Sequence, residues 1–303
     1  MPDRSAPSGV FAPLTTPFDA NDQLAAGPLL GNLARYNRTR LAGYVATGST
    51  GEAILLSWPE TESLWAHIAE AAGKDKVLVA GTAAESTAET IRRTRRAAEL
   101  GYRYALVRTP VYYQPQMNAD ALTGYYRSIA DASPIPVLIY SIPQFTGVTV
   151  EAPLVARLAE HPNIVGVKES SGSVQRIAEI IHATGPEFRV LAGSASTFFP
   201  SLMIGAAGGV LALACAMPEA CVELYEAACA KDVDRARALQ EKLLPASKVL
   251  VSQYGVAGIK YALDRLGYYG GPVRAPLRPV GEAARKDIDR VLAGIVAVES
   301  AVG

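Results

Sequence analysis

The sequence predicts a (β/α)8 TIM barrel followed by a helical C-terminal extension. Short apolar runs alternate with helix-like segments between residues 10 and 230, and eight such runs can be counted. They are continuously apolar rather than alternating, as is typical of parallel strands buried on both faces. A doubly wound open sheet is the alternative. It would more typically place a glycine-rich phosphate-binding turn after its first strand, and VFAPLTTPF is not such a turn.

Eight strand–helix units in a chain of this length favour the barrel. The predicted strands are Val10–Leu14, Gly43–Thr47, Lys76–Gly81, Tyr104–Thr109, Ile135–Tyr140, Ile164–Lys168, Arg189–Gly193 and Gly208–Leu213. The predicted helices are Leu24–Arg40, Pro59–Gly73, Ser86–Gly101, Ala119–Ala132, Glu151–Pro162, Val174–Thr184, Thr197–Gly205 and Pro218–Ala230. The third of these helices shows the expected boundaries, because it starts with a plausible N-cap serine and ends on a glycine.

The pattern changes after Lys231. The stretches DVDRARALQEKLLPASKVLV, GIKYALDRLG and EAARKDIDRVLAGIVAV are amphipathic and helical, with no strand between them. We therefore predict a barrel domain over residues 1–230 and a helical domain over residues 231–303.

The composition is that of an ordinary globular protein. Half of the 303 residues are hydrophobic, and 29 basic residues balance 29 acidic ones, so nothing favours nucleic acid or an anionic membrane surface as a partner. No apolar run reaches the roughly 18 residues of a membrane-spanning helix, and MPDRSAPSG lacks a signal-peptide core. The three cysteines, Cys215, Cys221 and Cys229, form no CxxC pair and are predicted to be buried. We expect a cytoplasmic protein.

Candidate catalytic residues lie where the active site of such a barrel is found, at the carboxyl ends of the strands. Strand 6 ends in Lys168, within NIVGVKESSG, strand 5 ends in Tyr140, and the loop after strand 2 reads TGSTGE. The strand-end loops lack the histidine and carboxylate clusters of metal enzymes and the Ser-His-Asp or Cys-His sets of acyl transfer. We therefore expect neither a metal nor a cofactor.

Covalent catalysis by lysine is the chemistry that fits these residues. Burial disfavours the ammonium form of an amine, and a neutral amine attacks the carbonyl of a 2-oxo acid. The resulting imine is an electron sink, so a neighbouring C–C bond can be made or broken. Tyr140 is placed to move protons, and the hydroxyls and N–H groups of GSTGE are placed to bind a carboxylate. A strand-end lysine alone is more often solvated, and it is the combination of features that favours catalysis.

Four motifs resemble those of the pyruvate-dependent class I aldolase family that contains dihydrodipicolinate synthase and N-acetylneuraminate lyase. They are GSTGE after strand 2, TPVYY after strand 4, IYSIP…TG at strand 5 and IVGVKESSG at strand 6. The resemblance extends over nearly the whole chain. It implies a (β/α)8 barrel with a C-terminal helical domain, assembled as a homotetramer that is a dimer of dimers.

The resemblance also implies a role for each motif residue. Lys168 is expected to form the Schiff base, and Tyr140 to shuttle protons at the imine and at the aldol oxygen. Ser49 is expected to connect Tyr140 in a hydroxyl relay to Tyr112, which reaches in from the neighbouring subunit. Ser49 and Thr50 are expected to hold the pyruvyl carboxylate. The synthases mostly have a threonine in place of Ser49, a difference that keeps the hydroxyl.

The far side of the site departs from the synthase pattern. Dihydrodipicolinate synthases typically carry an arginine at the position of Phe145 in YSIPQFTG, where it pairs with the carboxylate of the second substrate. A phenyl ring cannot make that contact. The stretch Tyr254–Leu277 resembles the 4-hydroxy-2-oxoglutarate aldolase branch, which also lacks the arginine. Ser170 and Thr50 are candidates for the far carboxylate, and Gly193 is a further candidate substrate contact.

We therefore predict a retro-aldol cleavage of 4-hydroxy-2-oxoglutarate to pyruvate and glyoxylate. The alternative is a synthase that condenses pyruvate with aspartate semialdehyde in lysine biosynthesis, and other hydroxy-oxo acids or sugar acids stay open. A catalytically silent relative that binds a 2-oxo acid is disfavoured by the intact set of Lys168, Tyr140, Ser49 and Tyr112. Lys260, in GIKYALDRLG, is the competing lysine and is predicted to be structural.

Overall fold

Eight parallel strands close into one barrel, in which each strand pairs with its sequence neighbours and β8 pairs with β1. The computed structural model describes residues 6–300, and side chains up to residue 294. The strands are β1 (Gly9–Pro13), β2 (Gly43–Ala46), β3 (Val77–Gly81), β4 (Tyr104–Arg108), β5 (Val137–Ser141), β6 (Ile164–Glu169), β7 (Arg189–Ala192) and β8 (Gly208–Val210). The predicted barrel is confirmed. Residues 1–5 and 301–303, the outer ends of the two predicted domains, lie outside the described residues.

Helices follow the strands and continue after the barrel. They are α1 (Ala26–Tyr36), α2 (Trp58–Ala71), α3 (Thr87–Glu99), α4 (Ala119–Ala132), α5 (Pro143–Thr146), α6 (Ala152–Ala159), α7 (Val174–Ala183), α8 (Phe198–Met203), α9 (Pro218–Cys229), α10 (Val233–Ala246), α11 (Gly255–Arg265) and α12 (Glu282–Ser300). Short 3-10 turns lie at Ala53–Leu55, Gln114–Gln116, Ala195–Thr197 and Ala212–Cys215. Within residues 6–300, no helix has the length and apolarity that crossing a bilayer requires.

The interior of the barrel is filled by side chains that alternate along the strands. Phe11, Val45, Leu138 and Leu191 belong to one buried cluster inside the barrel, which also contains Tyr140. The opposite faces of the strands pack against the surrounding helices in a larger cluster. Because successive side chains of a strand point to opposite faces, each of the strands β1 to β7 contributes to both clusters.

The structure corrects two details of the sequence prediction. The eighth strand was expected to reach Leu213, but β8 ends at Val210 and the chain turns into the 3-10 segment Ala212–Cys215. That segment is buried, and an apolar run of this length does not distinguish a strand from a buried turn. Cys215 and Cys221 are buried as predicted, whereas Cys229, at the end of α9, is exposed.

The chain beyond α9 forms helices without strands. Pro245 lies inside α10, and the following Ser247–Gln253 is wound as a π-helix that leads into α11. A proline removes one backbone donor and crowds the preceding turn, which accounts for a change of helical winding at this point. Helix α11 buries Ile259, Lys260 and Leu263. The boundary predicted at residues 230 and 231 falls between α9 and α10 and stays a prediction.

Candidate active site

Lys168 and Tyr140 occupy paired positions on adjacent strands near the carboxyl end of the barrel. They are register partners of β6 and β5, and their side chains are 4% and 5% exposed. The Lys168 amine lies 4.1 Å from the centre of the Tyr140 ring. Within the described part of the chain, that amine has neither a hydrogen-bond acceptor nor a carboxylate partner. The structure thus brings together the two residues predicted to carry the chemistry, and it leaves the lysine nitrogen free.

Ser49 completes a hydroxyl chain with Tyr140. Its Oγ lies 3.2 Å from the Tyr140 hydroxyl, and either oxygen can be the donor. Hydroxyl–hydroxyl contacts of this kind allow a proton to pass from one oxygen to the other. The loop after β2 therefore meets the end of β5, as the sequence predicts.

The backbone of this loop offers donors for an anion. Within the described residues, the N–H groups of Ser49 and Thr50 have no hydrogen-bond acceptor, whereas the neighbouring Gly51 and Glu52 N–H groups bond to Gly48 and Ser49 carbonyls. Adjacent free N–H groups in a tight turn form a concave site for a carboxylate. This geometry suits the predicted role of Ser49 and Thr50.

Two left-handed residues bracket the loop. Thr47 has φ +53° and Glu52 has φ +55°, and neither is a glycine. Such a conformation costs about 1–3 kcal/mol per residue and persists where surrounding contacts impose it. Thr47 Oγ1 lies 2.8 Å from Ala46 O and 3.1 Å from Gly81 O, and it accepts a hydrogen bond from Trp65 Nε1 at 2.8 Å.

Glu52 is the residue of this site that sequence reasoning missed. Its carboxylate is buried, with Oε1 2.5 Å from the amine of Lys260 and Oε2 accepting the backbone N–H of Arg274 at 2.8 Å. The Lys260 amine also donates to the Pro272 carbonyl at 2.7 Å. The signal in the sequence was a charged residue between a tight glycine turn and the apolar run AIL. The sequence prediction used the hydroxyls and N–H groups of GSTGE and assigned no role to its glutamate.

Arg274 connects the loop that contains Glu52 to the start of α2. Its guanidinium donates to Glu60 from two nitrogens, at 3.0 and 2.7 Å, and to Asp22 at 3.0 Å. The hydrogen bond from Arg274 lowers the pKa of Glu60 from its ordinary value of 4.5 to about 2. Glu60 also receives the backbone N–H of Ser57 in a capping box at the start of α2.

Ser170 and Gly193 lie against one another at the ends of β6 and β7. A Cβ on Gly193 would fall 1.8 Å from Ser170 Oγ, so only a glycine leaves room for that serine. Ser170 Oγ is buried and has no hydrogen-bond partner within the described residues. An unpaired buried hydroxyl beside the site is a suitable contact for a substrate oxygen. The roles of Ser170 and Gly193 as substrate contacts stay predictions.

Tyr112 and Phe145 are not brought into this cluster within one chain. Tyr112 is 77% exposed and Phe145 is 70% exposed, the former in the segment after β4 and the latter in α5. The backbone N–H of Tyr112 is held by Glu85, while its ring contacts Tyr113 edge-on. The predicted relay from Ser49 to Tyr112 requires a second copy of the chain and stays a prediction.

The donor set of the site is an amine, a phenol, hydroxyls and backbone N–H groups. Among the described residues, no three histidine, cysteine, aspartate or glutamate side chains converge as a metal site would require. The arrangement can attack a carbonyl, move a proton and hold a carboxylate.

Comparison with known proteins agrees with this chemistry. The model of the dihydrodipicolinate synthetase family matches residues 6–295. A 4-hydroxy-tetrahydrodipicolinate synthase of Exiguobacterium is 36% identical over 91% of this chain and 94% of its own length. The enzyme of that name from Methanospirillum hungatei is 36% identical over 94% of this chain and 98% of its own. The crystal structure of a dihydrodipicolinate synthase from Acinetobacter baumannii complexed with pyruvate has a TM-score of 0.91, with 32% identity over 95% of this chain and 99% of that one.

Proposed function

The chain belongs to the dihydrodipicolinate synthetase family of class I, lysine Schiff-base aldolases, and we propose that Lys168 is the lysine that binds pyruvate. The observation that carries the proposal is the environment of its nitrogen. The amine is buried, packs 4.1 Å from the Tyr140 ring centre and is not engaged by any other described group. A buried nitrogen with no competing partner is available to attack a carbonyl carbon.

The donor half of the reaction follows from the site. The Lys168 nitrogen adds to C2 of pyruvate, the Tyr140 hydroxyl protonates the departing oxygen, and water leaves to give the imine. Transfer of a proton from the methyl carbon to the Tyr140 phenolate then gives the enamine, whose electron pair forms the C–C bond with the second carbonyl carbon. The free N–H groups of Ser49 and Thr50 hold the carboxylate, and the Ser49 hydroxyl, as the next group of the relay, hydrogen-bonds the Tyr140 oxygen that gives and takes the proton. The imine itself is the electron sink, so the reaction needs no cofactor.

For the second substrate, aspartate semialdehyde is the first candidate. The relatives described above carry the name of the synthase, and they match this chain over nearly its full length. This support is stronger than that for the cleavage predicted from the sequence. In the synthase reaction, the enamine attacks the aldehyde carbon and the Tyr140 hydroxyl protonates the new alkoxide.

Cleavage of 4-hydroxy-2-oxoglutarate is the second candidate, and Phe145 favours it. The ring lies where the synthases typically have an arginine, is 70% exposed and offers no donor to a carboxylate. In the cleavage, the imine at C2 accepts the electrons of the C3–C4 bond while a base takes the 4-hydroxyl proton. Glyoxylate leaves and the pyruvate enamine remains.

The proposal extends to a second copy of the chain. Tyr112 is exposed in one chain although the relay needs its hydroxyl near Ser49. We expect the neighbouring copy to supply it, within the homotetramer that the family resemblance implies.

Trapping with borohydride tests the donor half. We expect incubation with pyruvate and borohydride to add one reduced pyruvyl group to Lys168, located by mass spectrometry of peptides. An unmodified Lys168 would overturn the proposed function.

A two-substrate assay and one variant test the acceptor half. Turnover of pyruvate with aspartate semialdehyde and of 4-hydroxy-2-oxoglutarate alone would be measured in parallel. We expect Phe145→Arg to raise the ratio of kcat/KM for aspartate semialdehyde to that for the cleavage about tenfold, because the arginine pairs bidentately with a carboxylate. Phe145→Leu is the matched control and should leave the ratio unchanged. If Phe145→Arg also leaves this ratio unchanged, the side chain at position 145 does not select the acceptor substrate.

A further inference from the structure

The loop that carries Ser49 is held from two different parts of the molecule. Its first left-handed residue, Thr47, is fixed by hydrogen bonds to β2, β3 and α2, all within the barrel. Its last left-handed residue, Glu52, is fixed by Lys260 on α11 and by the backbone of Arg274. Because neither residue would adopt this conformation freely, the shape of the loop depends on both attachments.

The attachment at Glu52 is a buried ion pair. The Lys260 and Glu52 side chains are 1% and 0% exposed, and their charged atoms are 2.5 Å apart. Both Lys260 and Arg274 also lie over the ring of Phe18, at 4.6 and 4.1 Å from its centre. Buried ion pairs rarely add net stability compared with apolar residues of the same volume, so their effect is to be sought in what they orient.

What this pair orients is the segment next to the catalytic hydroxyl. The Ser49 carbonyl accepts the N–H of Glu52 at 3.1 Å, so a shift of Glu52 moves Ser49 directly. Ser49 Oγ in turn lies 3.2 Å from the Tyr140 hydroxyl, slightly longer than the usual O–H···O distance of roughly 2.5–3.0 Å. A displacement of a few tenths of an ångström would therefore break the contact.

We propose that Glu52 and Lys260 are positioning residues of the reaction, which hold the Ser49 hydroxyl within reach of Tyr140. The inference rests on the proposed function, because it assigns the proton relay its geometry. It gives the C-terminal extension a part in catalysis although, up to residue 294, no hydrogen bond or ion pair joins the extension to Lys168 or Tyr140.

The test removes the ion pair as a unit. Glu52→Gln keeps an oxygen for the N–H of Arg274, and Lys260→Met keeps the length of the side chain without its charge. The double variant thus leaves no buried charge unpaired, and we expect its melting temperature to stay within a few degrees of the wild type. The matched control is Arg265→Gln, at a position on the same helix as Lys260, which removes the 2.9 Å ion pair between Arg265 and Asp289 of α12.

The measured quantity is the rate of pyruvate adduct formation at Lys168 per folded enzyme. We expect the double variant to be about tenfold slower than the wild type, no slower than Ser49→Ala, and Arg265→Gln to be within twofold of the wild type. Ser49→Ala provides the decisive comparison. If the pair acts through Ser49, adding Glu52→Gln and Lys260→Met to Ser49→Ala should slow the reaction less than twofold further.

The two levels of failure are separable. A wild type that forms no adduct at Lys168 overturns the proposed function. A wild type that reacts while the double variant matches its rate overturns the positioning role alone. Rate losses that simply multiply in the Ser49→Ala background also overturn it, because a general structural defect would act independently of the relay.

Discussion

Lys168 in the barrel and Lys260 in the C-terminal extension are both buried, and their nitrogens are bonded in different ways. Lys168 and Lys260 are 4% and 1% exposed. The Lys168 nitrogen faces the ring of Tyr140 and has no acceptor within the described residues. The Lys260 nitrogen lies 2.5 Å from a carboxylate oxygen and donates to a carbonyl at 2.7 Å. Burial alone therefore does not identify a nucleophile, and the bonding of the nitrogen decides.

The pKa of Lys260 also shows that burial does not identify a nucleophile. Burial lowers the pKa of the Lys260 amine, and the Glu52 carboxylate acts in the opposite direction. A lowered lysine pKa is commonly read as a sign of reactivity. Here it belongs to an amine whose nitrogen is held by two oxygens at bonding distance, so we expect Lys260 to be inert towards pyruvate.

The largest expected effect is the loss of chemistry at Lys168. Lys168→Arg keeps a long nitrogen-bearing side chain but cannot form the imine, so we expect kcat/KM to fall by about 10³-fold or more and the pyruvate adduct to disappear. Mass spectrometry after borohydride reduction and steady-state kinetics measure both. Lys242→Arg changes an exposed lysine in the same way and should have no effect. An adduct on Lys260 in the Lys168→Arg protein would reverse the comparison.

For the free energy of unfolding, we expect Lys260 to matter more than Lys168, the reverse of their expected effects on activity. Lys260→Met leaves Glu52 buried and charged without its partner, and we expect the free energy of unfolding to fall by about 3–5 kcal/mol. Lys168→Met removes an amine without a partner, so it should leave stability unchanged or raise it by up to about 1 kcal/mol. Urea unfolding of the two variants gives the numbers. Equal losses would mean that Lys168 is also held by contacts.

The neighbours of Lys168 should show graded effects. Tyr140→Phe removes the proton shuttle but keeps the ring beside the amine, and we expect kcat to fall about 10²-fold. Ser49→Ala leaves the Tyr140 hydroxyl in place, so a fall of about tenfold is expected. Pre-steady-state trapping with pyruvate measures both variants on one step. A larger loss from Ser49→Ala than from Tyr140→Phe would assign the main proton transfer to Ser49.

The smallest effect concerns the attachment of the extension through Arg274 and Glu60. The Glu60 pKa is about 2 in the folded protein and near 4.5 when unfolded, so its contribution to stability is complete above pH 4.5 and is lost as the pH falls towards 2. We expect Glu60→Gln to lower stability by about 1–2 kcal/mol at pH 7 and to match the wild type near pH 2. Glu70→Gln, at an exposed position, is the control. A difference that persists unchanged to pH 2 would exclude the ion pair as its cause.

The barrel could be predicted because its information is local. Each strand is a short apolar run, each helix has its own boundaries, and the order alone indicates closure. The proximity of Lys168 and Tyr140 could be predicted from the barrel itself, since both residues lie at the ends of neighbouring strands. The helix Pro143–Thr146 was not predicted, because four residues are too few to show a helical period.

The ion pair at Glu52 could not be predicted for the opposite reason. The Glu52 carboxylate contacts the Lys260 amine and the Arg274 N–H, both in the extension. Arg274 is separated from Glu52 by 222 positions in the chain. No periodicity relates such residues, and a charge in a glycine turn is ordinarily solvated. The left-handed conformations of Thr47 and Glu52 are likewise imposed by tertiary contacts, which the local sequence does not show.

The distance along the chain between Glu52 and its partners in the extension has a consequence for synthesis of the protein on the ribosome. Lys168 and Tyr140, the strand residues of the proposed pyruvate site, are made before residue 200, and domains fold as the chain emerges, starting from its amino end. The loop that bears Ser49, however, acquires its last attachment only when Lys260 and Arg274 have left the exit tunnel. A nascent chain that has already formed its barrel strands should therefore process pyruvate more slowly than the finished protein until translation is nearly complete.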